Sequence, residues 1–184
     1  MLARRIRQGV LVFFVVGPLI ATIYAMYSLW DRMIGWTELA LFLVFYVLTG
    51  LGITIGFHRL LTHKSFEVGP VIKTTFLILG SMAVQGKTID WAANHLKHHA
   101  HADDEGDPHS PLEGFLHAHV GWLFTGPPAD RERYAKKLMN DPIISFIDKT
   151  FLLWVGVGLL IPYMIAGWQG LLWVCFVRIA FVNH

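Results

Sequence analysis

The sequence predicts an all-α membrane protein: a four-span helical bundle, its fourth span incomplete, carrying a histidine-rich cap on the cytoplasmic side. Three observations lead there. The 184 residues are 54% hydrophobic with a mean hydropathy of +0.50, too apolar for an ordinary soluble domain. The apolar residues gather into runs of about bilayer length. Between the second and third runs lies "NHLKHHAHADDEGDPHSP", residues 94–111, which holds five of the ten histidines and four acidic residues.

The first span is expected over about 9–30, a run of 22 residues that Pro18 can kink without ending it. Arg4, Arg5 and Arg7 precede it, as they would in a cleaved leader, but the run is long for one and shows no small-x-small cleavage site. The second span, about 39–57, has 19 residues and no charge. The third covers about 151–168. The fourth, about 170–184, offers only 14 apolar-rich residues over 170–183, with Arg178 among them. Ten Lys or Arg lie between Arg59 and Lys149, only Arg32 lies between spans one and two, and none lies between three and four. The positive-inside rule therefore places the N-terminus and a cap over 58–150 in the cytoplasm, all within a single domain over 1–184.

The segment 71–85 is expected to lie on or in the cytoplasmic face without crossing. Its apolar core, 76–84, is about nine residues, short of a span. If it crossed, the histidines before and after it would sit on opposite sides of the membrane.

Composition restricts the chemistry. A net charge of +2 implies no nucleic-acid partner. Cys175 is the only cysteine, which excludes an internal disulfide, a thiolate zinc site and a Cys-ligated iron–sulfur cluster. A metal here must be held by nitrogen and oxygen. Two histidine boxes offer the nitrogen: "HRLLTH", His58 to His63, and "HLKHH", His95 to His99. Positions 95, 98 and 99 share one face of a helix. His58 and His63 stand about 140° apart on an α-helix and share a face only if it frays, or else they grip different atoms. Imidazole suits iron, zinc, copper and nickel, and His58, His63, His95, His98 and His99 together exceed what a structural zinc needs. They point to a larger or binuclear centre. Asp90, Asp103 and Asp107 are placed in sequence either to accept from ring N–H groups or to stand in a solvated cytoplasmic loop. His101, His109, His117 and His119 are not assigned as ligands. Haem is disfavoured, because none of the first three spans has a histidine in its interior.

"GFHRLLTHKSF", "DWAANHLKHHAHAD", "GDPHSP" and "GFLHAHVGWLF" closely resemble the integral-membrane fatty acid desaturases of the stearoyl Δ9 type, from about residue 50 to 124 and more weakly onward to the end. The resemblance implies four spans, a cap holding two irons, and a bent tunnel for an acyl chain. It implies His58, His63, His95, His98 and His99 as iron ligands, with Asp103, Asp107 and His109 supporting the cap and the ligand rings. The implied reaction is O2-dependent, removing two hydrogens from a saturated acyl-CoA or acyl-lipid to leave a cis double bond, with Δ9 as the implied position. With no dinucleotide fingerprint and no haem signature in the chain, electrons come from a partner such as cytochrome b5, ferredoxin or rubredoxin. "RERYAKK", 131–137, reads first as an anchor to membrane lipid headgroups and second as a docking patch for that donor. Alternatives are a membrane di-iron hydroxylase or other oxygenase, and an inactive metal-binding fragment.

The sequence departs from the family pattern at several points. Leu96 and Ala102 replace an Arg and a small hydroxyl residue. Gly86, Ala93, Gly126 and Pro127 stand where animal acyl-CoA enzymes carry basic or polar residues. "QGKTID" is more like bacterial or plastid members, which implies acyl-lipid substrates, and the expected location is a bacterial inner membrane. The family's third box, H-x-x-H-H, has no counterpart, so the expectation is a partial sequence, inactive alone.

Overall fold

The computed structural model describes residues 2–28, 35–102 and 104–183; Arg32, Asp103 and His184 lie outside the described residues. Among the described residues the fold is helical, with no strand. Helix α1 is Leu2–Ser28 and α2 is Trp36–Leu51, which runs on without a break as a π-helix over Gly52–Thr62. Helices α3 (Pro70–Ser81) and α4 (Thr88–Ala100) follow. Short helical turns fill 111–139. Then come α5 (Pro142–Lys149), α6 (Phe151–Gln169), a π-helical stretch Gly170–Val177, and α7 (Arg178–Asn183).

Three helical stretches are long and apolar enough to cross a membrane: Gln8–Tyr27, Trp36–Thr62 and Phe151–Asn183. The second outruns the expected 39–57 at both ends and carries His58 with it. The third is two arms joined by a sharp turn, at Ala166 (φ −126°) and Gly167 (φ +57°, ψ −143°). Past the turn the chain doubles back, and the Cys175 thiol lies 3.7 Å from the carbonyl oxygen of Gly158 and 3.6 Å from that of Leu159. Glycine is required twice here. Gly167 takes a left-handed conformation, and a Cβ on Gly170 would stand 2.1 Å from the Pro162 carbonyl oxygen. The described part of the expected spans 151–168 and 170–184 falls on the two arms of one helical hairpin.

Helix α3 has 12 residues, roughly 18 Å of rise against a hydrocarbon core of about 30 Å. It lies against the π-helical end of α2 at a glycine crossing. A Cβ on Gly52 would meet Gly80 N at 2.2 Å, and one on Gly80 would meet the Phe57 ring at 2.5 Å. This close approach brings α4 over the same helix, and Phe57, Leu77, Ile89, Ala92, Ala93 and Ile147 form the buried core beneath both boxes. Polar ties close the cap from the side. Arg131 Nε donates to Asp90 Oδ1 at 2.6 Å and Nη1 to Asp148 Oδ2 at 3.1 Å. Asp148 Oδ1 accepts from Ile89 N at 2.9 Å, and Lys73 pairs with Asp141. Two sequence expectations change as a result. Asp90 faces a guanidinium, and the basic stretch 131–137 turns Arg131 inward, leaving Arg133, Lys136 and Lys137 exposed.

Candidate metal centre

The first box is built by the π-helix. His63 N donates to His58 O at 3.0 Å, closing the turn on the fifth residue instead of the fourth. Thr62 Oγ1 donates to Phe57 O at 2.9 Å across the same interval. Residues five apart then fall one above the other, and His58 Nε2 and His63 Nε2 stand 3.1 Å apart. The 140° separation expected of an α-helix is removed without fraying.

The second box sits on α4. His95 and His99 are one turn apart, with their Nε2 atoms also 3.1 Å apart. The two pairs face each other, with ring centroids 4.7 Å apart for His58–His95 and again for His63–His99. One nitrogen from each of His58, His63, His95 and His99 lies within 4.8 Å of the other three. Two imidazoles on one ion at bond lengths of about 2.1 Å are separated by about 3.0–3.4 Å when their bonds meet at right or tetrahedral angles. The observed pairs match that spacing, so the four residues fit a metal ion. Burial, then the neighbouring His99, His58, His63 and His98, push the His95 pKa down to about 4. Burial, then His63 and His98, also lower that of His99. Near pH 7 these rings are neutral and keep the lone pair a metal requires.

His98 separates from its two neighbours. It stands about 100° from His99 around the helix and joins Asp107 and His109, whose ligand atoms with its own lie within 4.8 Å of one another. His98 Nδ1 is 3.0 Å from both Asp107 carboxylate oxygens. The carboxylate can only accept, so Nδ1 is the donor in this contact. Asp107 is 4% exposed and also accepts from His109 N at 3.1 Å. The His109 ring stacks on His98 at 4.3 Å. The other described histidines have different neighbours: His101 Nε2 is 3.2 Å from Tyr134 Oη, His117 faces Glu113, and His119 stacks on Phe115.

Two residues at the site went unnoticed in the sequence. Trp91 stacks on His95, with centroids 5.0 Å apart and planes 28° apart, and its Nε1 donates to Gln85 Oε1 at 3.1 Å. The i, i+4 spacing of Trp91 and His95 was the available signal. Both residues line a cavity of about 460 Å³. Its apolar wall includes Val10 and Phe14 of α1, Leu123 and Phe151. Gly86, Gly126 and Pro127 lie on that wall, whereas Ala93 is wholly buried in the core.

Residues 34–184 match the family model described as fatty acid desaturase. The chain is 37% identical over 164 residues to the sn-1 stearoyl-lipid 9-desaturase of Anabaena variabilis, covering 87% of this chain and 60% of the relative. It is 36% identical over 188 residues to the hex-5-enoyl-[acyl-carrier protein] acetylenase of Moorena producens, covering 91% and 59%. It is 35% identical over 164 residues to the sn-1 stearoyl-lipid 9-desaturase of Synechocystis sp., covering 87% and 51%. The chain thus spans between 51% and 60% of the length of these three relatives. A family generally built on two irons accounts for paired histidine boxes facing one another beside an apolar cavity, and this chain belongs to it: the fatty acid desaturases.

Proposed function

We propose that the chain carries the metal-binding and acyl-binding core of a membrane di-iron desaturase, which takes two hydrogens from a saturated acyl chain and leaves a cis double bond. The observation that carries this is the convergence of four imidazole nitrogens from two helices within 4.8 Å of one another, with one of the four residues, His95, lining a largely apolar cavity. His58, His63, His95 and His99 hold one iron. His98, its Nδ1 donating to Asp107, serves the second. When bound, the iron pair supplies the oxidising power from O2 that an unactivated methylene requires.

The balance is one saturated acyl chain, one O2, two electrons and two protons giving one alkene and two waters. The chain's own residues bind and aim. Val10, Phe14, Leu123 and Phe151 take the hydrocarbon and exclude water, and Trp91 and His95 set which carbons face the metal. The substrate is an acyl chain carried on a membrane lipid, as the names of two of the relatives suggest, with position 9 as the site. The electrons come from a separate donor such as ferredoxin, rubredoxin or a cytochrome b5-like protein. The chain lies in a bacterial inner membrane as four spans, with the boxes on the cytoplasmic side.

The test is expression of the native gene in a host lacking its own desaturase, followed by mass spectrometry of the lipid acyl chains. Monounsaturated chains are expected, and they should vanish with His95→Ala. Hydroxylated chains would replace this reading with an oxygenase, and chains left wholly saturated would remove it.

A further inference from the structure

Helix α7 is joined to the histidine site through a side chain between them. Arg178 is fully buried. Its Nε donates to Val174 O at 2.8 Å, Nη1 to Thr49 Oγ1 at 3.0 Å, and Nη2 to Met82 O at 3.1 Å. Met82 caps the C-terminus of α3, so the guanidinium rests on the negative end of that helix. Two residues on, Val84 has φ +62°, a left-handed conformation that a β-branched residue keeps only where its surroundings hold it. Its side chain packs with Phe151, Val155 and Ile179.

Gln85 comes next and faces both ways. Its Nε2 donates to Val182 O of α7 at 3.3 Å, and its Oε1 accepts from Trp91 Nε1 at 3.1 Å. The amide orientation follows from chemistry, since a carbonyl only accepts and an indole N–H only donates. Beyond that bond, the Trp91 ring lies on His95 and presents to His58 at 6.5 Å. A contiguous path therefore runs from α7 through one side-chain amide and one indole to both histidine boxes.

From this geometry we infer that Gln85 is a positioning residue for the metal centre, setting the ring of His95 through Trp91 and tying it to the backbone of α7. The inference rests on the metal reading proposed above. Its test is a titration of the detergent-solubilised, metal-free protein with Co2+, read by visible absorption, in four forms: wild type, Gln85→Leu, Trp91→Phe and the double variant. Trp91→Phe keeps a ring over His95 and removes the N–H.

Gln85→Leu should weaken Co2+ binding roughly tenfold, the scale of a lost outer hydrogen-bond partner. In the Trp91→Phe background it should change nothing further, because the shared bond is already gone. Full additivity of the two effects overturns the inference, as does an unchanged affinity in Gln85→Leu. If Gln85→Leu fails to fold, Gln85→Met takes its place. If wild type takes up no Co2+, the metal reading fails by itself, and amide hydrogen exchange over 88–100 decides the positioning role. Faster exchange in Gln85→Leu that is absent in the Trp91→Phe background sustains it, and equal exchange rejects it.

Discussion

His63 stands directly over His58, with Nε2 atoms 3.1 Å apart, because the helix beneath them closes its hydrogen bond from His63 N to His58 O. The first box depends on that fifth-residue closure, and on Thr62, whose hydroxyl reinforces it at Phe57 O. Thr62→Val keeps the shape and removes the hydroxyl. It should cost about 1 kcal/mol of stability and weaken metal binding by loosening the box. Thermal unfolding and Co2+ titration of the same preparation check both effects.

Asp107→Asn should lower metal affinity about 10- to 100-fold with little loss of helix. The amide nearly matches the carboxylate in size but no longer offers two charged acceptors to His98 Nδ1. Isothermal titration with Fe2+ or Co2+ under anaerobic conditions measures this. An affinity equal to wild type would show that His98 needs no fixed tautomer.

Metal-free protein should lose stability as pH falls below about 6.5. The pKa of His95 is depressed in the fold to about 4 from an unfolded value near 6.5, and that of His99 is also lowered. Between these values the unfolded chain binds more protons than the folded one, so stability rises with pH and declines on acidification. Melting temperatures from pH 4 to 8 should slope upward, and His95→Gln should flatten the slope. A curve of equal slope in the variant would place the titrating groups elsewhere.

Arg131→Leu should destabilise the cap by about 2 kcal/mol, since it strands the buried Asp148 carboxylate as well as the half-exposed Asp90. Adding Asp148→Asn should restore part of the loss. The melting temperatures of the two variants give the comparison.

Gly52→Ala adds one methyl group where Gly80 N lies 2.2 Å away. Backbone cannot yield as a flexible side chain can, so α3 must move off the helix and lose the Leu77–Phe57 packing. A cost of about 3 kcal/mol is expected. Gly50→Ala on the same helix meets nothing within 4 Å and should be neutral, which makes the pair a controlled thermal-unfolding comparison.

Much of this protein is determined by local pattern alone. Uncharged runs of bilayer length become long helices whatever surrounds them, because their backbone polar groups must be satisfied within the segment. The i, i+4 spacing of His95 and His99 likewise places both rings on one side of α4 before any tertiary contact forms. Where a residue's partner lies far along the chain, the pattern is silent. Asp90 is next to the box in sequence, yet its carboxylate is taken by Arg131, 41 positions away. His98 carries the same side chain as His99, and the return of the chain through Asp107 and His109 gives it a different set of partners. The fifth-residue closure at His58 is a third such case: a π-helix is intrinsically less favourable than an α-helix, and it persists here where Gly52, Gly80 and Phe57 bring α3 against it. Span lengths and box spacing belong to the sequence, because they follow from rise per residue and from burial of polar backbone. Which histidines meet belongs to the tertiary structure, because it follows from where two helices can approach closely enough to touch.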